Sequence, residues 1–110
     1  MIRFDSASRV FRLDAADASY VMGINDQDQL QTLDWGKRLP GGDSVPAAKP
    51  ADAISSFDMS VNTTPQEFAG WGGGLFVEPN LKITFPDGNR DLVLKYVSNE
   101  IRDSTLHVTV

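Results

Sequence analysis

The stretch that most constrains the fold is residues 81–97, with the sequence LKITFPDGNRDLVLKYV. Apolar and polar side chains alternate over 81–85, and this period of two is typical of a half-buried β-strand. Asp87 and Gly88 follow as a turn signal. The second run, 92–97, is apolar on both faces, as in a more central strand. We therefore predict a β-hairpin over 81–97 that nucleates an all-β domain.

Short alternating runs elsewhere predict further strands. They cover residues 2–4, 8–13, 55–61, 75–77 and 106–110, together with a second hairpin over 19–35 whose turn lies at 25–29. Another tight turn is expected around Asp103, and the one helix candidate, 49–57, is short. About eight short strands separated by turn signals indicate an antiparallel β-sandwich. We predict one such domain over residues 1–110.

Residues 36–53, GKRLPGGDSVPAAKPADA, interrupt this pattern with three prolines and three glycines. Proline cannot donate to a central ladder, so the segment is predicted to be a long loop. A loop of this length is either functional or disordered. Two interpretations stay open: a mobile surface excursion, and a segment that reaches a partner subunit or a site elsewhere.

Composition excludes several functional classes. The net charge is -5 and no run of Lys or Arg is present, which argues against nucleic acid and against a basic membrane-binding patch. The absence of cysteine excludes disulfides, thiolate metal sites and a cysteine nucleophile. No apolar run approaches the roughly 20 residues of a membrane span. The polar N-terminus does not resemble a signal peptide, which favours a cytoplasmic location. The sequence stops within a strand pattern, so we expect a fragment of a longer chain.

Candidate catalytic groups are few. His107 is the only histidine, and it falls on the polar face of the last predicted strand, so we expect it to face solvent. Most carboxylates lie in or beside turns, where Asp serves turn chemistry. The glycines at 72–74 lack the context of a phosphate loop and instead allow close backbone approach. We predict no catalytic residue, no metal site and no cofactor.

Two tryptophans are candidates for sugar binding, because an aromatic face stacks well on the apolar face of a pyranose. They are Trp35 and Trp71. Each also fits a core role, with the indole buried on one side and its N–H bonded. The sequence leaves both interpretations open.

Two long stretches resemble a known family. Residues 11–39, FRLDAADASYVMGINDQDQLQTLDWGKRL, resemble the opening of bacterial α-galactosidases of glycoside hydrolase family 36, in which an "SYV" strand, a turn and a "WGKRL"-like segment come in that order. Residues 57–101 resemble the next stretch, with a "PQE-aromatic" element, a glycine-rich bend and a "DG…DL…Y" hairpin. At Leu75-Phe76-Val77 many members have Asp-aromatic-Arg, which indicates a divergent subgroup.

The resemblance implies a non-catalytic N-terminal β-sandwich of the supersandwich type. In that family the domain precedes a (β/α)8 barrel, and two aspartates of the barrel perform retaining hydrolysis of α-galactosides. The parent chain is expected to be a homo-oligomer. The loop after the "WGKRL"-like segment reaches a neighbouring subunit's active site, which makes Asp43 the first candidate for a sugar contact and Asp52 the second. Trp35 and Trp71 are further candidates.

Two other functions stay open. One is an independent carbohydrate-binding β-sandwich module that uses the two tryptophans as stacking platforms. The other is a structural or adhesive sandwich in an exported assembly.

Overall fold

The computed structural model describes residues 1–51, 55–57, 63–72 and 77–110. Within these ranges it contains strands and no helix. The strands are β1 (Ile2–Asp5), β2 (Val10–Asp14), β3 (Ala18–Ile24), β4 (Leu30–Lys37), β5 (Ser98–Arg102) and β6 (Thr105–Thr109). β4 extends two residues into the predicted loop, so the irregular segment begins at Arg38 rather than Gly36.

The strands form two antiparallel sheets. β1 to β4 follow one another in a four-stranded meander, and β5 pairs with β6 in a two-stranded sheet. The β3–β4 register passes from Asp34 opposite Val21 to Thr32 opposite Met22, which leaves Leu33 between them. Such a shift bends the strand and increases its local twist.

The core lies between the two sheets. Phe11, Met22, Ile24 and Leu30 are buried there, and Phe4 stacks on Phe11 with the ring centroids 4.4 Å apart. Three residues from the C-terminal part of the chain pack against this cluster: Tyr96, Leu106 and Val108. The alternation of the sequence explains this packing, because every second residue of β2 and β6 points to the same face. The predicted fold class, an all-β antiparallel sandwich, is confirmed.

The second face of the large sheet is covered by the long loop. Ala48 of the loop is buried, and a Cβ built on Gly23 of β3 would lie 2.8 Å from its Cβ. Real Cβ atoms do not approach so closely, so the loop lies directly on the strand and depends on a residue without a side chain there. The β2–β3 pairs Arg12–Val21 and Val10–Gly23 face the loop.

The predicted turns are confirmed. In the β3–β4 turn, Asn25 accepts hydrogen bonds at Oδ1 from the backbone N–H groups of Gln27 and Gln29, at 2.9 and 3.1 Å. Asp28 adopts a φ of 59° there, and Asp103 adopts 51° between β5 and β6. Asn and Asp tolerate this left-handed region, which is why short polar residues occupy these positions.

The hairpin predicted over 81–97 is only partly correct. Its turn is present, since Gly88 has a φ of 84° and donates its N–H to the carbonyl of Phe85. The described residues 82–97, however, form no strand ladder with one another. The second run is not central either, because Val97 is 69% exposed while Leu94 on the opposite side is half-buried.

The ladder is absent because another segment lies between the two runs. Trp71 donates its N–H to the carbonyl of Leu81, and its own carbonyl accepts from Leu92 N–H at 3.3 Å. A Cβ on Gly72 would lie 2.3 Å from the backbone nitrogen of Leu92. The close backbone approach predicted for the glycine-rich bend is therefore confirmed at Gly72, and it separates the two halves of the expected hairpin.

Two other strand predictions lie largely outside the described residues. Of the run 55–61 only 55–57 are described, and they form a turn. Of the run 75–77 only Val77 is described.

Candidate functional site

The base of the loop is fastened to the sheet by Arg12. This side chain is almost completely buried on β2, on the face that the loop covers. Its Nη1 donates to the carbonyl of Pro40 at 3.0 Å and its Nη2 to the carbonyl of Leu39 at 2.5 Å. Its Nε donates to Oδ1 of Asp14 at 2.9 Å. All three guanidinium nitrogens therefore hold partners, two of them at the point where the loop leaves β4.

Asp14 is the centre of the charge network beneath the loop. Its Oδ1 accepts from the hydroxyl of Ser19 at 2.5 Å, and its Oδ2 accepts from Arg3 at 2.8 Å. The hydrogen bond from Ser19, followed by those from Arg12 and Arg3, holds the pKa of Asp14 well below its ordinary value. The carboxylate is therefore ionised throughout the physiological range, and it neutralises the buried charge of Arg12.

Ser19 links this network to the loop a second time. Its Oγ accepts the backbone N–H of Leu39 at 3.0 Å. Outside the network, Arg38 N–H donates to the carbonyl of Asp17 at 2.9 Å. Hydrogen bonds to both the N–H and the carbonyl of Leu39 fix the direction in which the chain enters the loop.

Asp43 is exposed at the end of the first turn of the loop. The backbone reverses over residues 40–43, and Asp43 N–H donates to the carbonyl of Pro40 at 3.2 Å. Asp43 is exposed and borders two depressions. One is a small pocket of about 120 Å³ against Arg3 and Arg12. The other is an open groove of about 530 Å³ that Asp34 also lines. A carboxylate in this position can accept hydrogen bonds from the hydroxyl groups of a ligand.

Trp35 lies on the other face of the sheet. It pairs with Tyr20 across β3 and β4, and the two rings meet edge to face with centroids 6.3 Å apart. The indole is 80% exposed and borders an open cleft of about 370 Å³ whose lining includes Leu13 and Ala18. Of the two interpretations of Trp35, the structure contradicts the core role and leaves the ring accessible for stacking.

A hydrogen-bonded cluster lies beside Trp35. Glu67, from the PQE element, accepts at Oε2 from the hydroxyls of Tyr20 and Thr32, the latter at 2.6 Å. Its backbone N–H donates to the carbonyl of Leu30 at 2.9 Å. Burial of Tyr20, followed by its bond to this carboxylate, raises the pKa of the phenol. The cluster fixes the PQE element to the meander.

Trp71 is in a different environment. It is 43% exposed, and two cations approach its indole: Nζ of Lys82 at 5.8 Å and the guanidinium carbon of Arg90 at 5.5 Å from the ring centroid. Such contacts lie within cation–π range. A sugar would have to compete with these side chains for the ring, so the geometry favours Trp35 over Trp71 as a stacking surface.

The structure does not bring the predicted residues together in one site. Asp34 and Trp35 are consecutive on β4, so their side chains point to opposite faces of the sheet, and Asp43 lies on the face of Asp34. Trp35 and Asp43 therefore border different depressions. Asp52 lies outside the described residues. His107 is exposed on β6, as expected.

Over the described ranges, no group of three or more His, Asp or Glu side chains is arranged to hold a metal ion. The same part of the chain contains no helix with the length and hydrophobicity of a membrane span.

Sequence reasoning missed Arg12, Ser19 and Asp34. Arg12 lies in the predicted strand 8–13, and a polar residue of a half-buried strand ordinarily faces solvent, so its position alone does not mark it as buried. Asp34 carries a usable signal, because strand alternation places it on the face opposite Trp35. Nothing local in the sequence shows that a loop covers that face.

These features define an all-β sandwich domain with one long loop fastened across a sheet face. A family model described as the glycosyl hydrolase family 36 N-terminal domain matches residues 28–109. The chain is therefore a member of that family, as the motif resemblance predicts.

Individual relatives agree with this assignment. The α-galactosidase Mel36A of Lactobacillus acidophilus is 30% identical over 115 aligned positions, which cover 94% of this chain and 15% of that protein. The galactosidase domain of the α-galactosidase-sucrose kinase AgaSK superposes with a TM-score of 0.77 at 22% identity, over 93% of this chain and 15% of that one. The family 36 α-galactosidase AgaB of Geobacillus stearothermophilus superposes with a TM-score of 0.75 at 24% identity, over 91% of this chain and 14% of that one. The sequence thus spans only about a seventh of the relatives it matches.

Proposed function

We propose that this chain is the non-catalytic N-terminal domain of a retaining α-galactosidase. The family membership supports this proposal, as does the fact that the three similar proteins are α-galactosidases or contain a galactosidase domain. In this proposal a catalytic (β/α)8 barrel follows in the same parent chain and hydrolyses terminal α-galactosides. The 110 residues contribute a scaffold and one loop to that enzyme.

The contribution of the loop rests on one observation. Asp43 is an exposed carboxylate in the first turn of a loop whose base is held by hydrogen bonds from a buried arginine. A fixed base lowers the entropy that a loop loses when it meets a ligand. In the proposed oligomer, Asp43 accepts hydrogen bonds from sugar hydroxyls in the active site of a neighbouring subunit.

The scaffold role is supported by apolar side chains that face away from the core. Val93 and Val97 are each more than one-third exposed. In the proposed enzyme the barrel or a neighbouring subunit covers them, which removes apolar surface from water.

The test uses the full-length enzyme and an aryl α-galactoside. Asp43→Asn keeps the size of the side chain and removes its charge. A hydrogen bond to a charged group contributes about 1.5–3 kcal/mol, so KM is expected to rise roughly 10- to 100-fold. The turnover number should stay unchanged, because a contact made equally in the ground and transition states acts on binding alone.

Asp26→Asn is the matched control. Asp26 is an exposed aspartate in the β3–β4 turn, and it does not border the pocket or the groove at Asp43. It receives the same chemical change and should leave KM as in the parent enzyme. Equal KM values for the two variants would contradict the proposed role of Asp43.

A second candidate function is an independent carbohydrate-binding module. The observation that favours it is the exposure of Trp35 beside an open cleft. A galactose or raffinose titration of the isolated chain discriminates between the two functions, because only a binding module takes up sugar without a barrel.

A further inference from the structure

The guanidinium of Arg12 and the backbone N–H of Asp43 share one hydrogen-bond acceptor. The carbonyl oxygen of Pro40 accepts from Nη1 of Arg12 at 3.0 Å and from the backbone N–H of Asp43 at 3.2 Å. A carbonyl oxygen has two lone pairs and can accept both bonds. The backbone of Asp43 is therefore separated from the buried arginine by a single peptide oxygen.

On the side away from the loop, hydrogen bonds hold the guanidinium of Arg12 to the sheet. Nε of Arg12 donates to Asp14, which also accepts from Ser19, and Ser19 in turn accepts Leu39 N–H. Arg12 and Asp14 lie on β2 and Ser19 lies on β3, the two central strands of the sheet. A buried charge costs free energy unless it is paired and fully hydrogen-bonded, and here every nitrogen of the guanidinium has an acceptor.

Lysine cannot replace this arrangement. The guanidinium is a planar fork that presents donors in several fixed directions at once, whereas an ammonium group is a compact point charge on a flexible stem. An ammonium group can retain the ion pair with Asp14 but cannot simultaneously reach Leu39 and Pro40 in the same geometry. The exchange of arginine for lysine therefore keeps the charge and releases the loop.

We propose that Arg12 is a positioning residue that sets the location of Asp43, and this rests on the proposed contact of Asp43 with a neighbouring subunit's sugar. Arg12 does not touch the substrate. It holds the turn at residues 40–43 through the shared oxygen of Pro40, and Asp14 and Ser19 hold Arg12.

The test is a double-mutant cycle in the full-length enzyme. Arg12→Lys should raise KM roughly 10- to 100-fold with turnover unchanged, because small displacements of a contact group have effects of this order. In an Asp43→Asn background the same substitution should change KM by no more than about twofold, because the group being positioned is already lost. Equal effects of Arg12→Lys in both backgrounds would overturn the proposal.

Arg9→Lys is the matched control. Arg9 likewise donates to one backbone carbonyl, that of Asn25 at 3.1 Å, and to one carboxylate, that of Asp28 at 2.6 Å. Both acceptors lie in the β3–β4 turn, away from the loop. It should leave KM unchanged. If Arg12→Lys does not fold, Ser19→Ala removes the acceptor of Leu39 N–H and takes its place in the same cycle.

Amide hydrogen exchange separates this proposal from the proposed function. If Asp43→Asn leaves KM unchanged, the sugar contact is wrong, and the exchange rate of residues 42–45 then decides on Arg12. Faster exchange in Arg12→Lys than in Arg9→Lys supports the positioning role. Equal exchange in the two variants overturns it.

Discussion

The packing of the loop on the sheet makes a sharp prediction for Gly23. An alanine there places a methyl carbon 2.8 Å from Cβ of Ala48 and 2.9 Å from Cδ1 of Leu33. Attractive contacts between carbons lie at about 3.5–4.0 Å, so one of these groups must move by roughly 1 Å. Overpacking of this kind costs about 1–3 kcal/mol, and the reduced entropy of the unfolded chain offsets about 0.4–1 kcal/mol. We expect Gly23→Ala to lower the free energy of unfolding by about 0.5–2 kcal/mol.

Urea unfolding of the chain measures this change as a shift of the midpoint at constant slope. Gly36→Ala is the matched control, since no heavy atom lies within 4 Å of its added Cβ and its φ is not positive. It should be neutral or slightly stabilising. Ala48→Gly should relieve part of the strain, so the double variant should be more stable than the sum of the two single effects. Strict additivity, or a Gly23→Ala protein as stable as Gly36→Ala, would refute the packing of the loop on β3.

Two further predictions concern Asp14 and Trp35. The pKa of Asp14 is lower in the folded than in the unfolded chain, so its contribution to stability is complete above the unfolded value of about 3.9 and is lost as the pH falls further. The difference in unfolding free energy between the parent chain and Asp14→Asn should therefore narrow below about pH 4, and a difference that stays constant down to pH 2 would contradict it. For Trp35, galactose titrated into the isolated chain should give no saturable heat. If galactose binding instead gives saturable heat, and if this heat is lost in Trp35→Ala but kept in Trp71→Ala, the binding-module function is supported.

Strand alternation and turn chemistry were sufficient to predict most of the described strands. Period-two patterns bounded by Asn, Asp or Ser predict four of these features: β1, β2, the β3–β4 hairpin and the β5–β6 turn. These signals are local, because they depend on residues that are neighbours in the sequence. Residues 81–84 keep the predicted alternation of burial, with Leu81 and Ile83 half-buried, whereas 92–97 alternate where a run buried on both faces is predicted.

The errors arose where distant segments meet. The pattern of 81–97 does not show that residues 69–72 lie between its two runs, since this depends on the missing side chain of Gly72 opposite Leu92. Likewise, an arginine in an alternating strand looks the same whether water or a loop covers it. The strand pattern therefore does not single out Arg12, although this side chain holds the loop that carries Asp43, the residue that the resemblance indicates.

In the proposed function this domain supplies Asp43 to a neighbouring subunit rather than to its own barrel. Mixed oligomers test it most directly. One subunit carries Asp43→Asn, and the other has an intact loop but lacks the barrel nucleophile. We expect mixing to create sites with the KM of the parent enzyme, because a working nucleophile then meets an intact loop from its neighbour. If the mixture shows only the raised KM of Asp43→Asn, the loop does not act between subunits and the proposed role of Asp43 is wrong.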